Sequence, residues 1–264
     1  MQEAAFDASA AAGYAFARYK ELGCYWLVRE TDIEYLRPLA LQYGNSVLVK
    51  TWVIDFRRVR SRRAYEFSLN GSAGLLARAS TDWVLLDEAT GRPASIPKEM
   101  MHAFFPEGAP GQAPPRSRFP TSPPPPSSAF QHQRRVQWSD VDSVGHVNNA
   151  VYLGYLEDGD IRVAAANRWP PARLHEMGLV LAARRHQIEY REPAHLGDDL
   201  VLTTWLSDVD RSGGRRHFSI TRVGDNALVL RARLLWEIID LETGDPAPIP
   251  SDYLADLAPH LARS

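Results

Sequence analysis

Two aspartates and a histidine stand close together in the stretch Arg135 to Arg162, which reads RVQWSDVDSVGHVNNAVYLGYLEDGDIR. Asp140 and Asp142 supply carboxylates able to take a proton or attack an electrophile, and His146 supplies an imidazole that titrates near neutral pH. Residues Arg135 to Asp142 alternate like a strand, Ser143 to Val147 have the composition of a turn, and a helix is predicted from about Asn148, with Asn148 and Asn149 as caps and spacers. Apolar residues at Val151, Tyr152, Tyr155, Leu156 and Val163 keep a helical spacing. Asp142 and His146 therefore fall where a strand hands over to a helix N-terminus, near backbone N–H groups that have no intrahelical acceptor. Such a place can hold an anion or a developing oxyanion, and Gly145 lets the backbone approach a ligand closely.

Plainer readings stand beside these. Asp142 and His146 could form an Asx-type turn and helix cap without catalysis. Asp140 is read as a support of the turn, and Glu157 and Asp158 as solvated or paired with Arg162. Asp140, Asp142 and His146 carry oxygen and nitrogen ligands, but three candidates on one loop without a second cluster make a poor metal site. A single cysteine, Cys24, excludes an internal disulfide or a cysteine-built zinc site and is read as a small core residue. No metal and no organic cofactor are expected.

The elements that position the motif are duplicated. Residues 98 to 135 hold nine of the nineteen prolines and read as a linker, leaving an N-terminal copy at 1–97, a linker at 98–134 and a C-terminal copy at 135–264. At an offset of 153, 19 of the 54 positions from Gly44 to Pro97 are identical to their partners. LLDEATGRPASIP (Leu85 to Pro97) answers IIDLETGDPAPIP (Ile238 to Pro250), and Trp52 and Trp83 answer Trp205 and Trp236. Recurrence makes these four tryptophans core or interface residues. Upstream the offset is 155, where Ile33-Glu34-Tyr35 and Pro38 match Ile188-Glu189-Tyr190 and Pro193; a two-residue difference between Pro38 and Gly44 absorbs the change.

Each copy reads as a helix followed by antiparallel strands, an α+β arrangement in which one helix buries its stripe against a curled sheet. The strands are expected at Thr31 to Tyr35, Ser46 to Phe56, Arg63 to Leu69 and Leu75 to Asp87, and again at His186 to Tyr190, Asp199 to Val209, Arg215 to Val223 and Ala227 to Asp240. Met1 falls about where the first helix should start, so the first copy has no room for the strand and turn that carry the motif.

Composition bounds the rest. With 264 residues, 45% hydrophobic and 23% charged, the chain can build packed cores. No run suits a membrane span: the best, Ala227 to Ile239, is broken by Arg231 and Arg233. The start carries Glu3 and Asp7 and lacks a basic region, unlike a secretory signal, so a cytoplasmic address is expected. A net charge of −2 gives no general pull toward nucleic acid or membrane.

The motif resembles the hotdog-fold thioesterases, in which D-x-D-x-x-G-H-V-N-N-x-x-Y precedes the central helix; Asp140, Asp142, Gly145, His146, Val147, Asn148, Asn149 and Tyr152 match it without gaps. It is most similar to the tandem double-hotdog acyl-ACP thioesterases and to the 4-hydroxybenzoyl-CoA thioesterase-like acyl-CoA thioesterases. The resemblance implies two hotdogs in one chain, a pseudo-dimer that could pair again as a homodimer, with the acyl site where two copies meet. It implies that Asp142 is general base or nucleophile, that the backbone N–H of Gly145 or Val147 polarises the thioester carbonyl, and that His146 bonds the substrate or holds the water. Asn148, Asn149 and Tyr152 complete the implied substrate-binding set. Two departures stand out. Plant acyl-ACP thioesterases have an Asn where Val144 stands, and an acid and a cysteine where Pro193 and Ala194 stand, which dismisses a cysteine nucleophile.

The implied function is hydrolysis of an acyl thioester in fatty acid metabolism, first of acyl-ACP and then of acyl-CoA. Arg57, Arg58, Arg60, Arg62 and Arg63 read either as a solvated hairpin connection or as a docking patch for an acidic carrier protein or the phosphates of coenzyme A. The competing classes are a hotdog dehydratase or hydratase and a non-catalytic acyl-binding module.

Overall fold

The computed structural model describes residues 1–37, 44–70, 74–108, 111 and 115–262. The chain forms two compact units, Met1–Arg118 and Phe119–Ser264. In the first, helices α1 (Gln2–Ala11) and α2 (Phe16–Glu21) precede strands β1 (Cys24–Tyr35), β2 (Val47–Arg57), β3 (Arg60–Leu69) and β4 (Leu75–Asp87), and helix α3 (Lys98–Phe104) follows. The strands are antiparallel in the order β2-β3-β4-β1. The second begins with β5 (Phe130–Arg135) and continues through α4 (Asn149–Ala166), α5 (Pro171–Glu176), β6 (Leu179–Tyr190), β7 (Asp199–Ser207), β8 (Gly213–Arg222), β9 (Leu228–Asp240) and α6 (Ser251–Leu257). Its strands run in the order β6-β9-β8-β7-β5, all antiparallel.

The internal repeat reaches down to irregularities of the sheets. The β1–β4 ladder slips between Val28 and Glu30, and the β6–β9 ladder slips between Ala183 and Arg185, the positions 155 residues on. The β3–β4 and β8–β9 ladders slip between Phe67 and Ser68 and between Ile220 and Thr221. Bulges set strand bend and twist, so their repetition means that the two sheets curl in the same places. Both copies close β4 or β9 with the same Asx turn: Asp87 Oδ1 accepts the Thr90 N–H at 2.8 Å and Asp240 Oδ1 that of Thr243 at 2.9 Å, with Gly91 and Gly244 at positive φ. The offset change expected between Pro38 and Gly44 lies outside the described residues, which resume at Gly44.

Three details differ from the sequence expectations. β1 and β6 begin at Cys24 and Leu179, ahead of the predicted Thr31 and His186. β5 stops at Arg135 instead of running to Asp142, and a single 3₁₀ turn, Trp138–Asp140, follows. The regular ladder ends there because Val136 is shared between two residues ahead of β7: its N–H donates to Asp198 O at 2.9 Å and its carbonyl accepts from the Gly197 N–H at 3.1 Å. Within residues 98–134, helix α3 is part of the first unit and β5 is part of the second, while 109–110 and 112–114 lie outside the described residues.

Helix α4 buries Tyr152, Tyr155, Leu156, Gly159 and Val163. A Cβ on Gly159 would stand 2.9 Å from Leu202 Cδ2, so the glycine lets the helix lie close against β7. Tyr152, Tyr155, Leu156 and Leu202, together with Ile188, Phe218, Leu230 and Trp236, belong to the core of the second unit. The first unit has a smaller core of Tyr14, Tyr19, Cys24, Leu85, Ile96 and Met100, and Cys24 is a buried free thiol. At offset 155, α1 corresponds to the last ten residues of α4, Glu157–Ala166.

Trp83, Trp205 and Trp236 are buried, whereas Trp52 is 40% exposed. The reason lies in strand order. Trp205 sits on β7, which β5 covers, and its Nε1 donates to Pro123 O at 3.1 Å, but Trp52 sits on β2, the outer strand of its unit's order. No helix among the described residues is long and apolar enough to cross a membrane.

Candidate active site

The site is built on the five-residue turn between Asp142 and His146. The Asp142 N–H donates to His146 O and the Gly145 N–H to Asp142 O, each at 3.0 Å, and Val141 and Val147 form a bridge at the neck of the turn. Gly145 has φ +87°, a conformation that L side chains rarely adopt. Asp142 Oδ1 accepts the Val144 N–H at 2.9 Å, the Asx contact that the plainer reading of the sequence anticipated. Its Oδ2 has no protein partner among the described residues, and the residue is half-buried.

The helix start completes the turn. Asn148 is the cap of α4: its Oδ1 accepts the Ala150 N–H at 2.9 Å, and its carbonyl accepts the Val151 N–H. Asn149 is the first helical residue, and its carbonyl accepts from the Tyr190 hydroxyl at 3.4 Å. Tyr152 is 3% exposed, among the rings of Tyr155 and Tyr190, and burial raises its hydroxyl pKa. It belongs to the core beneath the turn.

Asp140 faces inward. Its Oδ2 accepts the Gln137 N–H at 2.8 Å and the Tyr155 hydroxyl at 2.7 Å, Arg134 lies 3.6 Å from Oδ1, and its carbonyl accepts the Asn148 N–H. Burial first, and then the bond to Asp140, pushes the Tyr155 pKa up to about 12. Asp140 thus ties the end of β5 to helix α4, and its carboxylate is engaged by Gln137, Tyr155 and Arg134. Among the described residues no group of three His, Cys, Asp or Glu side chains could hold a metal ion.

His146 is held below the ordinary histidine pKa by burial and by a second imidazole, His195, with Asp142 pulling the other way. Its neutral form therefore persists to lower pH than that of a free imidazole. The two rings stand edge to face, 4.9 Å apart at 75°, and His195 Nδ1 lies 3.2 Å from Gly145 O. The sequence motif does not contain His195, which lies 49 residues beyond His146; only the fold brings it to the turn.

The structure corrects the oxyanion assignment. Both amides named from the resemblance are engaged: the Gly145 N–H with Asp142 O, and the Val147 N–H with Ala194 O at 2.9 Å. The arginine cluster is also divided. Arg57 pairs with Asp55, and Arg62 makes a two-pronged contact with Asp82 at 2.6 and 2.8 Å. Arg63 is 5% exposed and reaches Ser9 Oγ and Thr51 Oγ1 inside the first unit, which removes it from any docking surface. Arg58 and Arg60 are exposed. Asp158 pairs with Arg162 at 2.8 Å and Glu157 is exposed, as anticipated.

Comparison with known proteins finds a thioesterase family model in each unit. Residues 136–257 match the model of the thioesterase-like superfamily, and residues 1–104 that of the acyl-ACP thioesterase N-terminal domain. The chloroplastic acyl-[acyl-carrier-protein] hydrolase FATB2 of Cuphea viscosissima is 26% identical over 248 residues, covering 89% of this chain and 56% of that protein. The chain thus spans little more than half the length of that relative. The long-chain acyl-CoA thioesterase FadM of Escherichia coli is 31% identical over 117 residues, 43% of this chain and 86% of FadM. Among solved structures, the 12:0-ACP thioesterase of Umbellularia californica superposes with a TM-score of 0.67 at 20% identity, covering 90% of this chain and 84% of that one. An acyl-ACP thioesterase of Bacteroides thetaiotaomicron gives 0.64 at 20% identity, covering 89% and 86%. These likenesses establish the fold as a tandem double hotdog. The ungapped D-x-D-x-x-G-H-V-N-N turn, the helix it opens and the coverage of FadM together make this chain a member of the hotdog-fold thioesterase superfamily.

Proposed function

We propose that this chain hydrolyses acyl thioesters to free acid and carrier thiol, with acyl carrier protein as the preferred carrier. The observation that carries the reading is the Asp142 carboxylate: one oxygen is anchored by the Val144 N–H, the other has no partner among the described residues, and the His146 imidazole feels its charge from the other end of the turn. In the proposed step the free oxygen of Asp142 takes a proton from a water as the water oxygen bonds to the thioester carbonyl carbon. His146 holds that water. An unengaged N–H of the turn and the positive end of α4 stabilise the oxygen as it gains charge. Collapse breaks the C–S bond, and a thiol of pKa about 8.5 leaves readily as thiolate, which then takes up a proton, so no strong general acid is needed.

Acyl carrier protein is preferred because the relatives that match along most of the chain, among them the Cuphea protein, bear that carrier in their names. The likeness of the second unit to FadM favours acyl-CoA as the second reading. The chain would act in the cytoplasm, in keeping with a lone buried thiol, and its two hotdogs would serve as one pseudo-dimer that can pair again.

Thiol release from a panel of acyl-CoA and acyl carrier protein thioesters, measured for the wild type and Asp142→Ala, tests the proposal. Turnover that falls at least a hundredfold in a folded mutant supports it, and the better carrier chooses between the two readings. Equal thiol release by both proteins would remove Asp142 from the chemistry. Hydration of an enoyl thioester, or tight acyl binding without turnover, would replace hydrolysis by the other classes.

A further inference from the structure

His195 approaches the turn from a loop that is itself braced. Its backbone N–H donates to Asp198 Oδ2 at 2.9 Å, and the Asp198 N–H returns a bond to His195 O at 3.1 Å. Arg222 reaches Asp198 at 3.3 Å, donates to Pro193 O at 2.9 Å and is held by Asp225 on its far side. From this support the exposed His195 ring places Nδ1 against the Gly145 carbonyl. A carbonyl oxygen only accepts, so Nδ1 carries the proton.

The consequence lies one atom further on. In a trans peptide the C=O and the following N–H point in opposite directions. Holding the Gly145 carbonyl therefore fixes where the His146 N–H points. The N–H groups of Val144, Gly145, Val147 and Asn148 all donate within the protein, whereas those of Ser143, His146 and Asn149 have no acceptor among the described residues; of these three, that of His146 shares its peptide with the carbonyl that His195 holds. A planar amide anchored at its oxygen, with its N–H unspent and Asp142 at the other end of the same turn, is a preorganised donor. The same ring stands edge to face with the His146 imidazole and limits its orientation.

We propose that His195 is a positioning residue of the thioesterase site: through the Gly145 carbonyl it aims the His146 N–H as the oxyanion donor, and through its ring it sets the His146 imidazole. The inference rests on the thioesterase reading above. The groups that face this pair are Asp142 on the turn and Asp198 and Arg222 behind the loop.

Two variants separate donation from packing. His195→Asn keeps an N–H donor near the position of Nδ1 but has no ring, whereas His195→Ala has neither. With thioester substrate, His195→Ala should lose kcat on the order of tenfold to a hundredfold while KM stays within about threefold, because a misaimed donor weakens the transition state more than binding. His195→Asn should recover most of that loss. Nitrogen-15 NMR of the wild-type imidazoles should place the His195 proton on Nδ1 at pH 7.5. An Nε2 proton there, an alanine variant as active as the wild type, or an asparagine variant as impaired as the alanine one would each overturn the proposal. A wild type that releases no thiol would sink the thioesterase reading instead, and the His195 tautomer would then decide its contact with Gly145 alone.

Discussion

Arg216 Nε lies 2.6 Å from Asp160 Oδ1, an ion pair between β8 and helix α4 in which the arginine is 4% exposed. At offset 155, Ala5 stands where Asp160 stands, and Arg63, the counterpart of Arg216, meets the hydroxyls of Ser9 and Thr51 and the ring of Phe104. Burial pushes the Asp160 pKa up to about 6, with Arg216 opposing the rise. A carboxyl whose folded pKa exceeds its unfolded value contributes stability that is full below about 4 and is lost as pH rises through about 6. The pH-dependent part should amount to roughly 2–3 kcal/mol. Urea unfolding of the wild type and Asp160→Asn at pH 4.5 and 7.5 reads it as the difference between their slopes against pH. Identical slopes would show that Asp160 titrates as an ordinary carboxyl.

The buried carboxylate of Asp140 should matter to the fold far more than to the chemistry. Asp140→Ala strands the Tyr155 hydroxyl and the Gln137 N–H and should cost about 3 kcal/mol, whereas Tyr155→Phe should cost about 1 kcal/mol. A double-mutant cycle should return a coupling near the smaller figure. Independent losses would mean that the 2.7 Å bond between them contributes nothing.

Gly145 meets no atom within 4 Å of a built Cβ, so the obstacle to substitution is backbone conformation alone. Gly145→Ala should lose about 1–2 kcal/mol at φ +87°, and Gly145→Asn less, since asparagine tolerates positive φ. Denaturation midpoints of the three proteins check the order. Equal midpoints would show that the turn relaxes without strain.

Asp142 presents the opposite balance. Its side chain makes one hydrogen bond to the turn and is half-buried, so Asp142→Asn should change stability by less than about 1 kcal/mol while removing nearly all thioester hydrolysis. Calorimetry beside the thiol-release assay separates the two effects. A loss of activity matched by a collapse of the melting transition would reduce Asp142 to a structural cap.

Much of this protein is legible in its sequence. The repeat at offsets 153 and 155 recurs in the ladder slips of both units, and alternation located β4 at its observed bounds, Leu75 to Asp87. Local chemistry was legible too: Asn148 as the cap, Gly145 as the positive-φ residue and Asp142 as the Asx acceptor follow from side chains acting on neighbouring backbone. The early end of β5 was not legible, because Val136 is diverted by partners at Gly197 and Asp198, some sixty residues on.

The sequence by itself determined the architecture and the turn of the candidate site, since periodicity and capping are set by residues within a few positions of one another. Tertiary structure alone decided which amides of the turn are already spent, that Tyr152 is core, that Arg63 is buried while Arg58 is exposed, and that His195 reaches Gly145. Each depends on a contact between segments distant in the chain, and no local pattern records where a second segment will lie.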